Sequence, residues 1–170
     1  KLLDLFSHNS NINLVLEYMT GDLEGLIRSQ AAHSKPLRAA DVKAYMKMIL
    51  QGMEHCHERW IVHRDMKPGN LLIGEDGAVK IADFGLAKIY GSPDRRMSPQ
   101  ACTLWYRAPE LLFGATSYGA PADCWSIGCI MGELLWLKPM FAGPESELKQ
   151  LERIFALLGV PSSTDWPQVT

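Results

Sequence analysis

Residues 63–70 read His-Arg-Asp-Met-Lys-Pro-Gly-Asn, and Asp83-Phe84-Gly85 follows at the end of a short apolar run. Together they set two acidic residues, one lysine and one asparagine on loops at strand ends. That is the equipment for holding a metal-bound nucleoside triphosphate beside a hydroxyl. Phosphoryl transfer asks a protein for positioning and charge neutralisation more than for covalent chemistry. Asp65 can accept a hydroxyl proton, Lys67 can neutralise the transferred phosphate, and Asn70 and Asp83 offer the hard oxygen ligands that Mg²⁺ prefers. Gly85 lets the backbone turn sharply behind the second of them. Asp-Phe-Gly alone also reads as an ordinary turn; the longer motif, with Ala108-Pro109-Glu110 downstream, carries the chemical reading.

Those residues need scaffolding, and the flanking patterns supply it. Leu71 to Ile73 pairs naturally with Val79 to Ala82 across Glu75-Asp76-Gly77, so Asn70 and Asp83 flank the open end of one hairpin and converge on one metal. Val42, Tyr45, Met46, Ile49, Leu50 and Met53 recur on one helical face, which makes the methionines core residues. Upstream, Leu2 to Phe6 and Ile12 to Tyr18 are β-prone runs around the polar turn 7–11, predicting an antiparallel hairpin, and Asp22 is placed to cap a helix running through Arg28. Downstream, 83–110 has little periodicity, as expected of a long functional segment. Helices are predicted over Pro121 to Leu137 and Ser146 to Leu158. In the second, Leu148, Leu151, Ile154, Phe155 and Leu158 form the buried face, and Gly159 is the stop.

Composition excludes several classes. The chain has 170 residues, 47% of them apolar, and a net charge of −2, which suits a globular domain and gives no electrostatic case for direct nucleic-acid binding. The most apolar stretch, Cys124 to Leu137, is shorter than the roughly 20 residues a membrane span needs and contains Glu133, so a buried core helix is expected and no membrane association. Cys56, Cys102, Cys124 and Cys129 show neither disulfide nor zinc spacing and read as reduced thiols. His55 and His57, two apart, do not share a helix face and make a poor metal pair.

With the motifs at 63–70, 83–85 and 108–110, the chain resembles the eukaryotic protein kinases over essentially its whole length. Gly91-Ser92-Pro93, the run Thr103 to Glu110 and Asp123 to Gly128 resemble the cyclin-dependent branch. Within it, Val42 to Met46, Asn70 to Ile73 and Glu110 to Ala115 are most similar to the CDK-activating kinases, whose catalytic subunit is associated with TFIIH. Splicing-linked cyclin-dependent kinases also carry a Gly-Ser-Pro here and form the alternative subfamily.

The resemblance implies an α+β, protein-kinase-like fold in partial form: the last hairpin of the small lobe (1–18), a hinge (19–21) and a truncated, mainly helical large lobe (22–170). It implies ATP and Mg²⁺ as cofactors. It makes Leu16 a gatekeeper, turns backbone groups of Glu17 and Met19 toward adenine and Asp22 toward ribose, and adds Asn70 and Asp83 to the ATP site. Thr103 is expected to bond the catalytic Asp65 and Lys67. Asp123 is expected beneath the catalytic loop, anchoring its backbone. Ser98 and Ser92 are candidate phosphorylation sites, with Arg64 and Lys88 as phosphate binders. Arg107 is expected to steady the carbonyl of Cys102 and so shape a pocket that accepts proline after the phosphoacceptor; Ala101-Cys102, where β-branched residues are common in relatives, departs from the pattern.

The activity implied is cyclin-activated transfer of the ATP γ-phosphate to Ser/Thr-Pro sites, on other cyclin-dependent kinases and the RNA polymerase II tail. A cyclin, such protein substrates, an assembly factor and TFIIH are the expected partners, and the nucleus, with cytoplasm as a second compartment, the expected location. No glycine-rich loop or strand lysine precedes the catalytic loop. The chain therefore reads as a fragment, inactive alone, of a catalytic parent. A non-catalytic kinase-like interaction module is the alternative.

Overall fold

A computed structural model describes residues 1–90, 103–116, 119–143, 146–164 and 166. Strands β1 (Leu2–His8) and β2 (Asn11–Leu16) form the expected antiparallel hairpin, with His8 opposite Asn11. Its turn is tighter than the polar run suggests. Within the run 7–11 only Asn9 and Ser10 lie outside the ladder, both at positive φ (49° and 63°), the backbone that two-residue hairpin loops require. Asn tolerates that region best among non-glycine residues.

The chain then crosses residues 17–20 into β3 (Gly21–Asp22), a two-residue strand across the expected boundary between hinge and large lobe that the sequence pattern does not mark. It pairs with β5 (Leu71–Ile73), which pairs in turn with β6 (Val79–Ile81), giving the order β3-β5-β6. Asp22 caps helix α1 (Leu23–Ala32): its Oδ1 accepts the Gly25 N–H at 2.7 Å. The helix runs a turn beyond Arg28 because nothing in Ser29-Gln30-Ala31-Ala32 breaks it.

Helix α2 (Ala39–His57) buries Val42, Met46, Ile49, Met53 and Cys56. Strand β4 (Ile61–Val62) follows and pairs with β7 (Lys88–Ile89), a second pairing not legible in the sequence because each strand is two residues long. After the short α3 (Pro109–Leu112), helix α4 (Ala120–Trp136) supplies the floor of the molecule through Ile127, Ile130 and Leu134. Pro121 sits in its first turn, where a missing N–H costs nothing. Among the described residues, no helix is long and apolar enough to cross a membrane. The core of α2 and α4 also takes in Leu23 and Ile27 of α1 and Leu71 of β5.

Helix α5 (Glu147–Leu158) corrects the expected face. Leu151 and Ile154 are buried, but so is Gln150, whereas Leu148 is 74% and Leu158 60% exposed. The buried arc centres on Ile154, and Leu148 lies roughly 120° away from it at 100° per residue. Leu158 is in the arc but at the last turn, where the packing ends at Gly159 (φ 85°). Leu50, half exposed, is likewise at the margin of its helix's buried stripe. Leu151→Ala is therefore expected to cost about 2–5 kcal/mol in the full-length protein and Leu148→Ala within about 0.5 kcal/mol. Equal losses by chemical denaturation would contradict this face assignment.

Candidate active site

The loop between β4 and β5 folds around the carboxylate of Asp65. Its last part is a 3₁₀ turn, Pro68–Asn70, and the Asn70 amide reaches back: Nδ2 donates to the Asp65 carbonyl at 2.7 Å and to Oδ2 at 3.1 Å. Lys67 Nζ donates to the same Oδ2 at 2.7 Å. The other oxygen, Oδ1, accepts the Thr103 N–H at 3.2 Å and its hydroxyl at 3.4 Å, and Lys67 Nζ also reaches the Thr103 hydroxyl at 3.5 Å. Asp65, Lys67, Asn70 and Thr103 are thus brought together, with Thr103 arriving from 38 residues along the chain.

Burial pushes the Asp65 carboxyl toward protonation, but Lys67, by hydrogen bond and by charge, the Thr103 N–H and Asn70 outweigh it. The group sits below the usual carboxylate range. An ionised, oriented acceptor beside a lysine results.

The loop is held from below. Asp123, on α4 and 2% exposed, accepts the backbone N–H of His63 with Oδ2 and that of Arg64 with Oδ1, each at 2.9 Å. The Oδ2 atom also faces His57 Nε2 at 2.8 Å. This buried carboxylate explains how Arg64 keeps a positive φ of 73°, a conformation that costs a non-glycine residue of order 1 kcal/mol or more. His63 ties the loop to the next segment. Its Nδ1 accepts the Asp65 N–H at 3.3 Å, so Nε2 carries the proton that goes to the Ala82 carbonyl at 2.9 Å. The edge of Phe84 packs on the same ring at 5.0 Å. Neither His57 nor His63 stands out as a structural link from residue spacing alone; a buried carboxylate in need of donors was the available clue.

Asn70 and Asp83 flank the open end of the β5–β6 hairpin, where the Ala82 N–H bonds the Asn70 carbonyl at 2.9 Å. Asp83 is exposed at φ 59°, with Oδ1 accepting the Gly85 N–H at 3.3 Å. The Asn70 Nδ2 is spent on Asp65, which leaves its amide oxygen as the ligand atom, and Asp83 keeps Oδ2. Hard oxygen donors on one hairpin end fit Mg²⁺. Among the described residues, no group of three or more His, Cys, Asp or Glu could hold a metal.

The remaining sequence candidates spread outward. Leu16 is exposed at the end of β2, Met19 is half-buried, and Asp22 is engaged as the α1 cap. The Glu17 carboxylate pairs with Lys80 at 2.6 Å, a partner not anticipated from sequence. Arg64 is buried, and Lys88 is exposed on β7 opposite Val62. Ser92, Ser98 and Cys102 lie outside the described residues. Arg107 is buried and pairs with Glu147 at the start of α5 at 2.8 Å, again an unanticipated partner. Beside it, the Tyr106 hydroxyl donates to Glu133 at 2.6 Å and the Tyr106 carbonyl accepts from Ser126 at 2.7 Å. Burial pushes the Glu133 carboxyl up, against the opposing hydrogen bond from Tyr106.

The protein kinase domain model matches residues 1–170. The chain belongs to the protein kinase family. It is 53% identical over 169 residues to cyclin-dependent kinase 7 of Dictyostelium discoideum, covering 99% of this chain and 46% of that protein. It is 49% identical over 169 residues to cyclin-dependent kinase D-1 of Arabidopsis thaliana, covering 99% and 42%. Among solved structures, the CAK complex from Chaetomium thermophilum bound to ATP-γ-S matches with a TM-score of 0.91 at 47% identity, over 98% of this chain and 51% of that one. The chain therefore spans about half the length of these kinase relatives, and its architecture is a partial protein kinase fold of the α+β class.

Proposed function

We propose that the full-length protein is a cyclin-dependent serine/threonine kinase of the CDK-activating type. It transfers the γ-phosphate of ATP to Ser/Thr-Pro sites on other cyclin-dependent kinases and on the RNA polymerase II tail. The observation that carries the reading is the Asp65 carboxylate held ionised among Lys67, Asn70 and Thr103.

In this mechanism Asp65 accepts the proton of the substrate hydroxyl as its oxygen bonds to the γ-phosphorus. The bond from that phosphorus to the bridging oxygen breaks and leaves ADP. Lys67 sits beside the reacting oxygens and balances the transferred charge. Thr103 fixes the carboxylate's rotation through its N–H and hydroxyl, so the acceptor is oriented before substrate arrives. Asn70 and Asp83 would hold Mg²⁺, which neutralises phosphate charge when bound. Leu16, Glu17, Met19 and Asp22 are assigned to the nucleoside. Phosphorylation of Ser98, with Ser92 as a second site, would order the activation segment through Arg64 and Lys88. A cyclin, an assembly factor and TFIIH are the proposed partners, in the nucleus and also the cytoplasm.

Arg107 is assigned to the pocket that receives the residue after the phosphoacceptor. Proline has no N–H to leave unpaired there, so a site that satisfies its own carbonyl loses nothing on binding it. With the full-length kinase and its cyclin, Ser-Pro peptides should exceed matched Ser-Ala peptides by about tenfold or more in kcat/KM. Equal values would remove the proline preference. Absence of any phosphate transfer would remove the kinase reading and favour an interaction module.

A further inference from the structure

Residues 17–20, between β2 and β3, have no regular secondary structure, yet their backbone is where the proposed site receives the nucleotide base. Three kinds of contact hold them. Thr20 donates twice to the Ile73 carbonyl, from N at 2.9 Å and from Oγ1 at 3.0 Å. The Glu17 N–H bonds the Lys1 carbonyl at 3.0 Å. The Glu17 carboxylate takes the ammonium of Lys80 at 2.6 Å.

Lys80 stands on β6 opposite Leu72, and Leu72 stands opposite Asp22, so the three form one row across the β3-β5-β6 sheet. The far end of the same hairpin is the Asn70–Ala82 rung, with Asp83 next. One short hairpin, about 10 Å of strand, therefore carries the residues assigned to the phosphates at one end and the backbone assigned to the base at the other. We propose that the Glu17–Lys80 ion pair is a strap that holds the base-binding backbone at a fixed place relative to the phosphate end, which makes Lys80 a positioning residue for ATP. The inference rests on the ATP-binding reading above.

Both groups are charged at neutral pH. The hydrogen bond from Lys80 holds the Glu17 carboxyl well below the ordinary carboxylate range, and Glu17 raises Lys80, with Asp76 on the adjacent turn adding to it. An exposed pair adds little to global stability, so removing it should act on the local order of 17–20 and leave the fold intact. Loss of that order falls on nucleotide capture, because Lys80 touches none of the reacting groups.

In the full-length protein with its cyclin, Lys80→Met should raise KM for ATP about three- to fivefold, the size of an exposed charge pair's coupling. Turnover at saturating ATP should stay within about twofold. Amide hydrogen exchange over residues 17–20 should quicken with no change in the global unfolding transition. The double exchange Glu17→Lys with Lys80→Glu should restore both KM and exchange toward the parent values. Unchanged KM and exchange in Lys80→Met, or a double exchange no better than Lys80→Met, would overturn the strap. If the parent binds no ATP, the functional reading fails, while hydrogen exchange with and without Lys80 still decides whether the strap exists.

Discussion

Asp65→Asn in the full-length kinase is expected to lower turnover by about three orders of magnitude while leaving nucleotide affinity within about twofold. In the proposed mechanism the carboxylate accepts the hydroxyl proton, and its contacts are with Lys67, Thr103 and the Nδ2 of Asn70, not with the Asn70 oxygen assigned to the metal. An amide cannot take the proton, and its NH₂ would face the Lys67 ammonium or the Thr103 N–H, two donors that have no use for a third. Asp83→Asn should behave differently: it weakens an oxygen ligand at the hairpin end, so magnesium-nucleotide affinity and turnover should both fall. Similar losses of affinity in the two variants would show that the roles of Asp65 and Asp83 are exchanged or misread. Because the Asp65 carboxyl lies below its ordinary value of 3.8, its stabilising contribution is present above that pH and is lost as pH falls through the lower folded value. A loss of activity between roughly pH 5 and 7 must then come from another group.

What could be read ahead of the structure follows from how local each signal is. The β5–β6 hairpin is set by apolar alternation around a Gly-containing turn, so Leu71 to Ile73 against Val79 to Ala82 was visible, one residue longer than the observed Val79–Ile81, and the placement of Asn70 and Asp83 followed from it. Helices α2 and α4 were equally legible from periodicity and from Pro121. The pairing of β4 with β7 was not: two residues carry no period. Long-range polar partners escaped for the same reason. Lys80 finds Glu17 across 63 positions and Arg107 finds Glu147 across 40, and nothing in the flanking residues of either marks the match. Leu148 misled because leucine three residues from Leu151 fits a helical stripe, while the buried arc is set by which side of α5 meets the core, a tertiary fact. Asp123 and Thr103 were placed ahead of the structure only through the family resemblance. The geometry now gives the physical content: a buried carboxylate with three donors, and a threonine whose N–H and hydroxyl share one oxygen of Asp65.

That buried carboxylate leads to the second large effect. Asp123→Ala leaves the N–H groups of His63 and Arg64 inside the protein with no acceptor and removes the partner of His57. Each orphaned donor costs about 1–3 kcal/mol, and a loss of about 3–5 kcal/mol in total is expected by chemical denaturation of the full-length protein. Stability is only part of the effect. The bond to Arg64 is what offsets its positive φ, so without it the loop is free to relax into a lower-energy backbone. Asp65, the next residue, would then leave the position where Thr103 and Asn70 meet it. Turnover at a temperature where the variant stays folded should fall by about tenfold or more, beyond what the unfolded fraction explains. Asp123→Asn should lie between the two, because one carbonyl oxygen can accept one of the two N–H groups while the NH₂ opposes the other. Full stability in Asp123→Ala would mean that these amides find another acceptor. A stability loss with turnover intact would mean that Asp123 supports the fold without setting the geometry of Asp65.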